Sequence, residues 1–218
     1  MIVIKLGDEK TEQVGNICAG RISMEHLRNF RKSQLGFTLV ELALVLVIIG
    51  LLIVGILKGE ALIENAKVKK LVNQKESLVA AFYAFYDKYG QYPGDENLTT
   101  APPNDTHNGN ADGQITGNEV WYHFEDLVLA GIINGNYTGV PNSCPNDPFG
   151  GTMTIQYFVT PTGSTTALNA NCVTFNGIPS DVAEQVDRKY DDGIYNTGSI
   201  RANTVYTNPA AKTVYWKM

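Results

Sequence analysis

The longest apolar run in the chain extends from Phe37 to Leu57, where every residue is apolar, small or hydroxylated except Glu41. A helix over this run rises about 31 Å at ~1.5 Å per residue, the hydrocarbon thickness of a bilayer, so the pattern predicts one membrane span over 37–57. The apolar pattern then narrows to a stripe: Val68, Leu71, Leu78, Phe82, Phe85 and Tyr89 recur at three- and four-residue intervals. Lys67, Lys69, Lys70, Gln74, Lys75 and Asp87 fall mostly between them. This is the signature of an amphipathic helix, predicted to run on to Tyr89 and stop at Gly90. The aromatics Phe82, Tyr83, Phe85, Tyr86, Tyr89 and Tyr92 are read as a core-facing surface rather than as an electron path.

Beyond Gly90 the periodicity changes. Gln91-Tyr92-Pro93-Gly94-Asp95 signals a turn, and residues 97–119 form a long loop rich in Asn, Asp, Gly, Pro and Thr. Helical spacing returns from Glu119 to Ile133, with Val120, Phe124, Leu127 and Ile132 on one side and Trp121 as the expected anchor. After Cys144 the pattern alternates. Strands are predicted over Thr152–Thr160 and Ala170–Phe175, joined by a turn at Pro161–Thr165. A short helix is predicted from Ser180 to Lys189, then strands over Gly198–Tyr206 and Lys212–Lys217. The fold class is α+β, a long helix against a small antiparallel sheet.

Glu41 is the anomaly of the apolar run, since a lone carboxylate in lipid costs on the order of 2.5–3.5 kcal/mol and the run offers no basic partner. Cleavage between Gly36 and Phe37 would create an α-amino group close by. Gly36-Phe37-Thr38-Leu39-Val40-Glu41 followed by the apolar run resembles the class III signal of type IV prepilins and type II secretion pseudopilins. That resemblance implies cleavage after Gly36 by prepilin peptidase, methylation of Phe37, and pairing of Glu41 with the Phe37 amine of a neighbouring subunit in the filament. It also implies a lollipop fold with a cleaved leader (1–36), a long N-terminal helix (37–90) and a globular head (91–218). The best-known pilins have a Pro near the end of the span; here Lys58 stands there. Gly50, Gly55 and Gly59 supply either local softness or close packing against other helices. An ordinary secretory signal fits less well, because Lys58-Gly59-Glu60-Ala61-Leu62 contains no A-x-A cleavage pattern.

Charge sharpens the topology. The formal net charge is -5, but residues 1–36 hold six Lys/Arg against four Asp/Glu, leaving eleven against eighteen beyond them. Arg28, Arg31 and Lys32 before the span place the N-terminus in the cytoplasm and the remainder outside. Met24 offers a second start within the leader. An acidic C-terminal part argues against nucleic-acid binding. Of three cysteines, Cys18 lies in the expected leader. Cys144 and Cys172 are expected to form a disulfide in an oxidising compartment.

His26, His107 and His123 are scattered, and no P-loop, G-x-S-x-G or H-E-x-x-H motif occurs, so no enzyme is predicted. One metal motif stands out. Counted from Asn108, the loop to Glu119 follows the twelve-residue EF-hand spacing, with Asn108, Asn110, Asp112, the Gln114 carbonyl, Thr116 and Glu119 as calcium ligands. Asp191-Asp192-Gly193 is read as a solvated turn, with cation binding as the alternative.

The chain is expected to be a structural subunit of a type IV pilus, with a type II secretion pseudopilin or a membrane-tethered calcium-dependent adhesion module as alternatives. Its partners would be other copies, other pilins, prepilin peptidase, the inner-membrane assembly machinery and lipid. It would sit in the bacterial inner membrane before assembly and in a surface pilus or periplasmic pseudopilus afterwards.

Overall fold

The computed structural model describes residues 36–158 and 168–218. The leader with Met24, Arg28, Arg31, Lys32 and Cys18 lies outside the described residues, as do Val159, Thr160 and the expected turn at Pro161–Thr165. The elements are α1 (Leu39–Tyr89), α2 (Glu119–Leu129), β1 (Met153–Phe158), β2 (Ala170–Ile178), α3 (Ser180–Tyr190), β3 (Ile200–Ala202) and β4 (Lys212–Lys217). The class is the α+β expected. The chain divides into two compact units, Met1–Ile53 and Val54–Met218, with the division inside α1.

In the first unit, α1 exposes every large apolar side chain, from Ile49 at 45% to Leu39 at 86%. This helix is long and apolar enough to cross a membrane. In the second unit, α1 buries Val68, Leu71, Val72, Leu78, Ala81, Phe82 and Phe85, the stripe anticipated from spacing, while Tyr89 is half-buried. The helix stops where Gly90 takes a left-handed φ of 75° and its N–H bonds back to the Tyr86 carbonyl at 2.7 Å, a conformation that costs glycine nothing.

The sheet has the order β1-β2-β4-β3, and every neighbouring pair is antiparallel. Strand alternation gives it two faces. Met153, Ile155, Val173, Phe175, Val214, Trp216 and Ile200 join the α1 stripe, Phe124 and Leu127 in one core. Cys172, Thr174 and Arg201 lie on the other face, also buried. Elsewhere the expectations need trimming. α2 ends at Leu129, four residues early, where the Gly131 N–H bonds to the Val128 carbonyl. Its anchors are Phe124 and Leu127, while Trp121 is only half-buried. β3 is three residues long, not nine: the chain bends at Asn203 and Thr204, and Asn203 still bonds to Thr213 of β4 without extending the strand.

The expected Cys144–Cys172 disulfide is not formed: both are free thiols. Their geometry gives the reason. Cys144 packs against the core that contains Val173 and Phe175. Cys172, one residue out of phase, points to the opposite face toward Arg201 and Lys217. Burial pushes the Cys172 thiol up to about 12, so it stays protonated and unreactive at neutral pH.

Candidate functional site

The N-terminal motif has a definite local structure. Gly36 and Phe37 precede the helix, both exposed, and nothing lies within 4 Å of where a Cβ on Gly36 would be. Thr38 and Glu41 then form a reciprocal pair. The Thr38 N–H and hydroxyl donate to Glu41 Oε2 at 2.8 and 2.9 Å, and the Glu41 N–H donates to Thr38 Oγ1 at 3.2 Å. This is a capping box, in which residues three apart satisfy backbone donors that the first turn leaves without partners. The Thr-x-x-Glu spacing was present in the sequence, though the carboxylate's role in its own helix was not read from it. The same carboxylate sits at the positive end of the helix dipole. An exposed peptide bond, an apolar segment and one oriented carboxylate are thus gathered within six residues.

The loop from Asn108 to Glu119 is ordered by bonds within itself and by bonds to residues outside it. Glu119 is buried and takes the Asn110 N–H at 3.2 Å on Oε1 and the Thr116 N–H at 2.8 Å on Oε2. Asp112 is exposed and takes the Gln114 N–H at 2.8 Å; Asn110 Oδ1 takes the Asp112 N–H at 2.9 Å. Asn108 and Thr116 face solvent, and Gln114 is half-buried. The organiser of this loop is a residue outside the expected set. Asp95 accepts the Asp112 N–H at 3.0 Å and the Gly113 N–H at 2.7 Å. Gly109 fits because it has no side chain: a Cβ there would lie 2.4 Å from Asp95 Cα.

The Asp191-Asp192 turn is held by hydrogen bonds to its acids. Asp191 Oδ2 accepts from the Ser199 and Ile200 N–H groups, Asp192 from the Ile194 N–H and the Thr197 hydroxyl, and neighbouring Asp187 from Gly193 and the Tyr206 hydroxyl. These bonds account for the acids as turn-formers. A different acidic group escaped the sequence reading: Glu96, Asp105 and Asp126, which are far apart in sequence and follow no spacing motif.

One family model, described as the prokaryotic N-terminal methylation motif, matches residues 31–57. No curated protein and no solved structure matches the chain. This match supports a class III signal of the type IV pilin or pseudopilin kind in that segment. The chain is therefore pilin-like at its N-terminus, a signal that implies processing by prepilin peptidase, assembly with other pilins and anchoring in the inner membrane beforehand.

Proposed function

We propose that the chain is a structural subunit of a type IV pilus, cut after Gly36, methylated at Phe37 and polymerised through its apolar helix. The observation that carries this reading is the wholly exposed apolar surface of residues 39–57 with Glu41 at its start. Such a surface is stable in lipid or among copies of itself, and small residues such as Gly50 and Gly55 let helices approach closely. In the polymer the Glu41 carboxylate exchanges its Thr38 contacts for the ammonium of a neighbouring Phe37. With Cys144 and Cys172 unbonded, the cysteines do not favour a pilus over a secretion pseudopilus. The location of the polymer separates them.

The test is to shear filaments from the cell surface and sequence the subunit by mass spectrometry. N-methylated Phe37 as the first residue in sheared material supports the pilus. Gly36→Leu should leave full-length precursor in the membrane and no filament. A methylated subunit confined to the periplasm under all conditions would replace the pilus with a secretion pseudopilus, and an uncut chain would overturn both.

A further inference from the structure

The segment that follows α1 and the helix α2 bring three carboxylates together. Glu96, Asp105 and Asp126 each contribute an oxygen, and these oxygens lie within 4.8 Å of one another. Glu96 and Asp126 are completely buried, and Asp105 is half-buried. Each residue has one oxygen satisfied by a backbone N–H: Glu96 Oε2 by Leu98 at 2.6 Å, Asp105 Oδ1 by His107 at 3.1 Å, and Asp126 Oδ2 by Gly94. The remaining oxygens, Glu96 Oε1, Asp105 Oδ2 and Asp126 Oδ1, are buried with no hydrogen-bond partner.

Three clustered carboxylates that each keep a partnerless oxygen require compensation, because an unpaired buried charge is among the costliest features a fold can hold. Among the described residues, none supplies a cation to these acids. The charged groups acting on Asp126 are Asp105, Glu96 and Glu125, and those acting on Glu96 are Asp105 and Asp95, all acids. His107, whose N–H meets Asp105, gives its ring to Glu125 Oε2 at 2.6 Å.

We propose that Glu96, Asp105 and Asp126 form a calcium site that fastens the segment after α1 to α2. The spacing suits the ion. Two oxygens bound at 2.3–2.6 Å on opposite sides of calcium stand on the order of 5 Å apart, so the oxygens of the three residues can share one ion after small adjustments. An all-oxygen donor set selects a hard cation. Deep burial favours calcium over magnesium, which sheds its waters reluctantly and demands a near-ideal octahedron. The ion would also have a structural consequence. Gly94 is bound to Asp126 and Gly109 N–H to the Glu96 carbonyl at 2.6 Å, so fixing these acids holds the chain just before the long loop and at the loop's middle.

The site is independent of the pilus reading and differs from the Asn108–Glu119 motif. The full chain in detergent, stripped with EDTA and dialysed, is titrated with CaCl2 by calorimetry and melted with and without the ion. The expected result is one calcium per chain, with a dissociation constant of about 1 mM or below, and an EDTA-reversible rise in melting temperature. Asp126→Asn should weaken binding by about tenfold or more, and should leave the metal-free chain no less stable, since it removes a repelling charge. Asp105→Asn, at the half-buried member, provides the same test if Asp126→Asn does not fold. Asp112→Ala should bind as the parent does. Absence of heat and of any EDTA-sensitive shift at about 10 mM calcium, well above the extracellular range, overturns the site and leaves the acids sharing protons. Loss of binding in Asp112→Ala with retention in Asp105→Asn and Asp126→Asn assigns the ion to the Asn108–Glu119 loop instead.

Discussion

Between Leu39 and Leu57 large apolar side chains stand 45–86% exposed, whereas between Asp95 and Asp126 four acids, Asp95, Glu96, Glu119 and Asp126, are at most 7% exposed. Each stretch inverts the usual distribution of apolar and charged groups. The helix has satisfied its own backbone and lacks only an apolar surrounding. The acids are already surrounded, and their demand is for donors or cations. Within the acidic group the demand is met unevenly. Asp95 and Glu119 take backbone N–H groups on both oxygens, while Glu96 and Asp126 each keep one oxygen without a partner. Exposure of a hydrophobic surface and burial of a charge are thus both readable as requirements for something outside the chain, but of opposite polarity.

The contrast can be broken most severely at the core. Phe82→Ala removes a ring with 0% exposure and should destabilise the second unit by about 3–5 kcal/mol. Leu46→Ala, at 69% exposure, should leave the denaturant midpoint of that unit unchanged. Equal losses from the two substitutions would show that the exposed stretch is packed in the isolated chain.

A smaller effect is expected from His123, a buried polar group whose needs are fully met. Its Nδ1 donates to the Glu119 carbonyl at 3.4 Å and its Nε2 accepts the Ile155 N–H at 3.3 Å, which fixes the neutral ring. Desolvation lowers its pKa from 6.5 to about 4. The unfolded chain therefore binds a proton that the folded chain refuses, so stability is lost as pH falls from about 6.5 toward 4. At pH 5 the loss should be about 2 kcal/mol relative to pH 8, and His123→Gln should lack this component. Parallel pH profiles for parent and variant would contradict the buried neutral ring.

The smallest change is at the start of the exposed helix. Thr38→Ala removes one half of the capping box and should cost about 1 kcal/mol, confined to the first turn. Faster amide exchange at Leu39 to Leu42 in micelles, with no change beyond, is the expected observation.

The long helix was legible because its signals are local and repeated: an apolar run, a stripe at helical spacing, and Gly90 at the end. Gly36, Phe37 and Glu41 were legible as a contiguous motif. The cysteines failed for a reason that sequence separation cannot convey. The direction in which Cys172 points is set by the register of β2 between β1 and β4, and one residue of phase decides the face. The group Glu96, Asp105 and Asp126 was hidden for a related reason. Its members meet only after an irregular loop has folded back on α2, and a loop closed by Asp95 and by backbone N–H groups leaves no periodic trace. The Asn108–Glu119 spacing drew attention to the right region, while much of the order there comes from Asp95, thirteen residues upstream of Asn108.

The sheet order carries a consequence in time. β4 is the latest of the four strands in sequence, yet it lies between β2 and β3 and pairs with both. A chain that emerges N-terminus first presents α1, β1 and β2 well before the strand that completes the sheet. Until then β3 has no neighbour and one edge of β2 is open, with its N–H and C=O groups free to pair with any other strand. Non-local pairing of this kind is also slow. Pairing with β4 closes that edge, so the last strand to be made is also the one that shields the sheet from other chains.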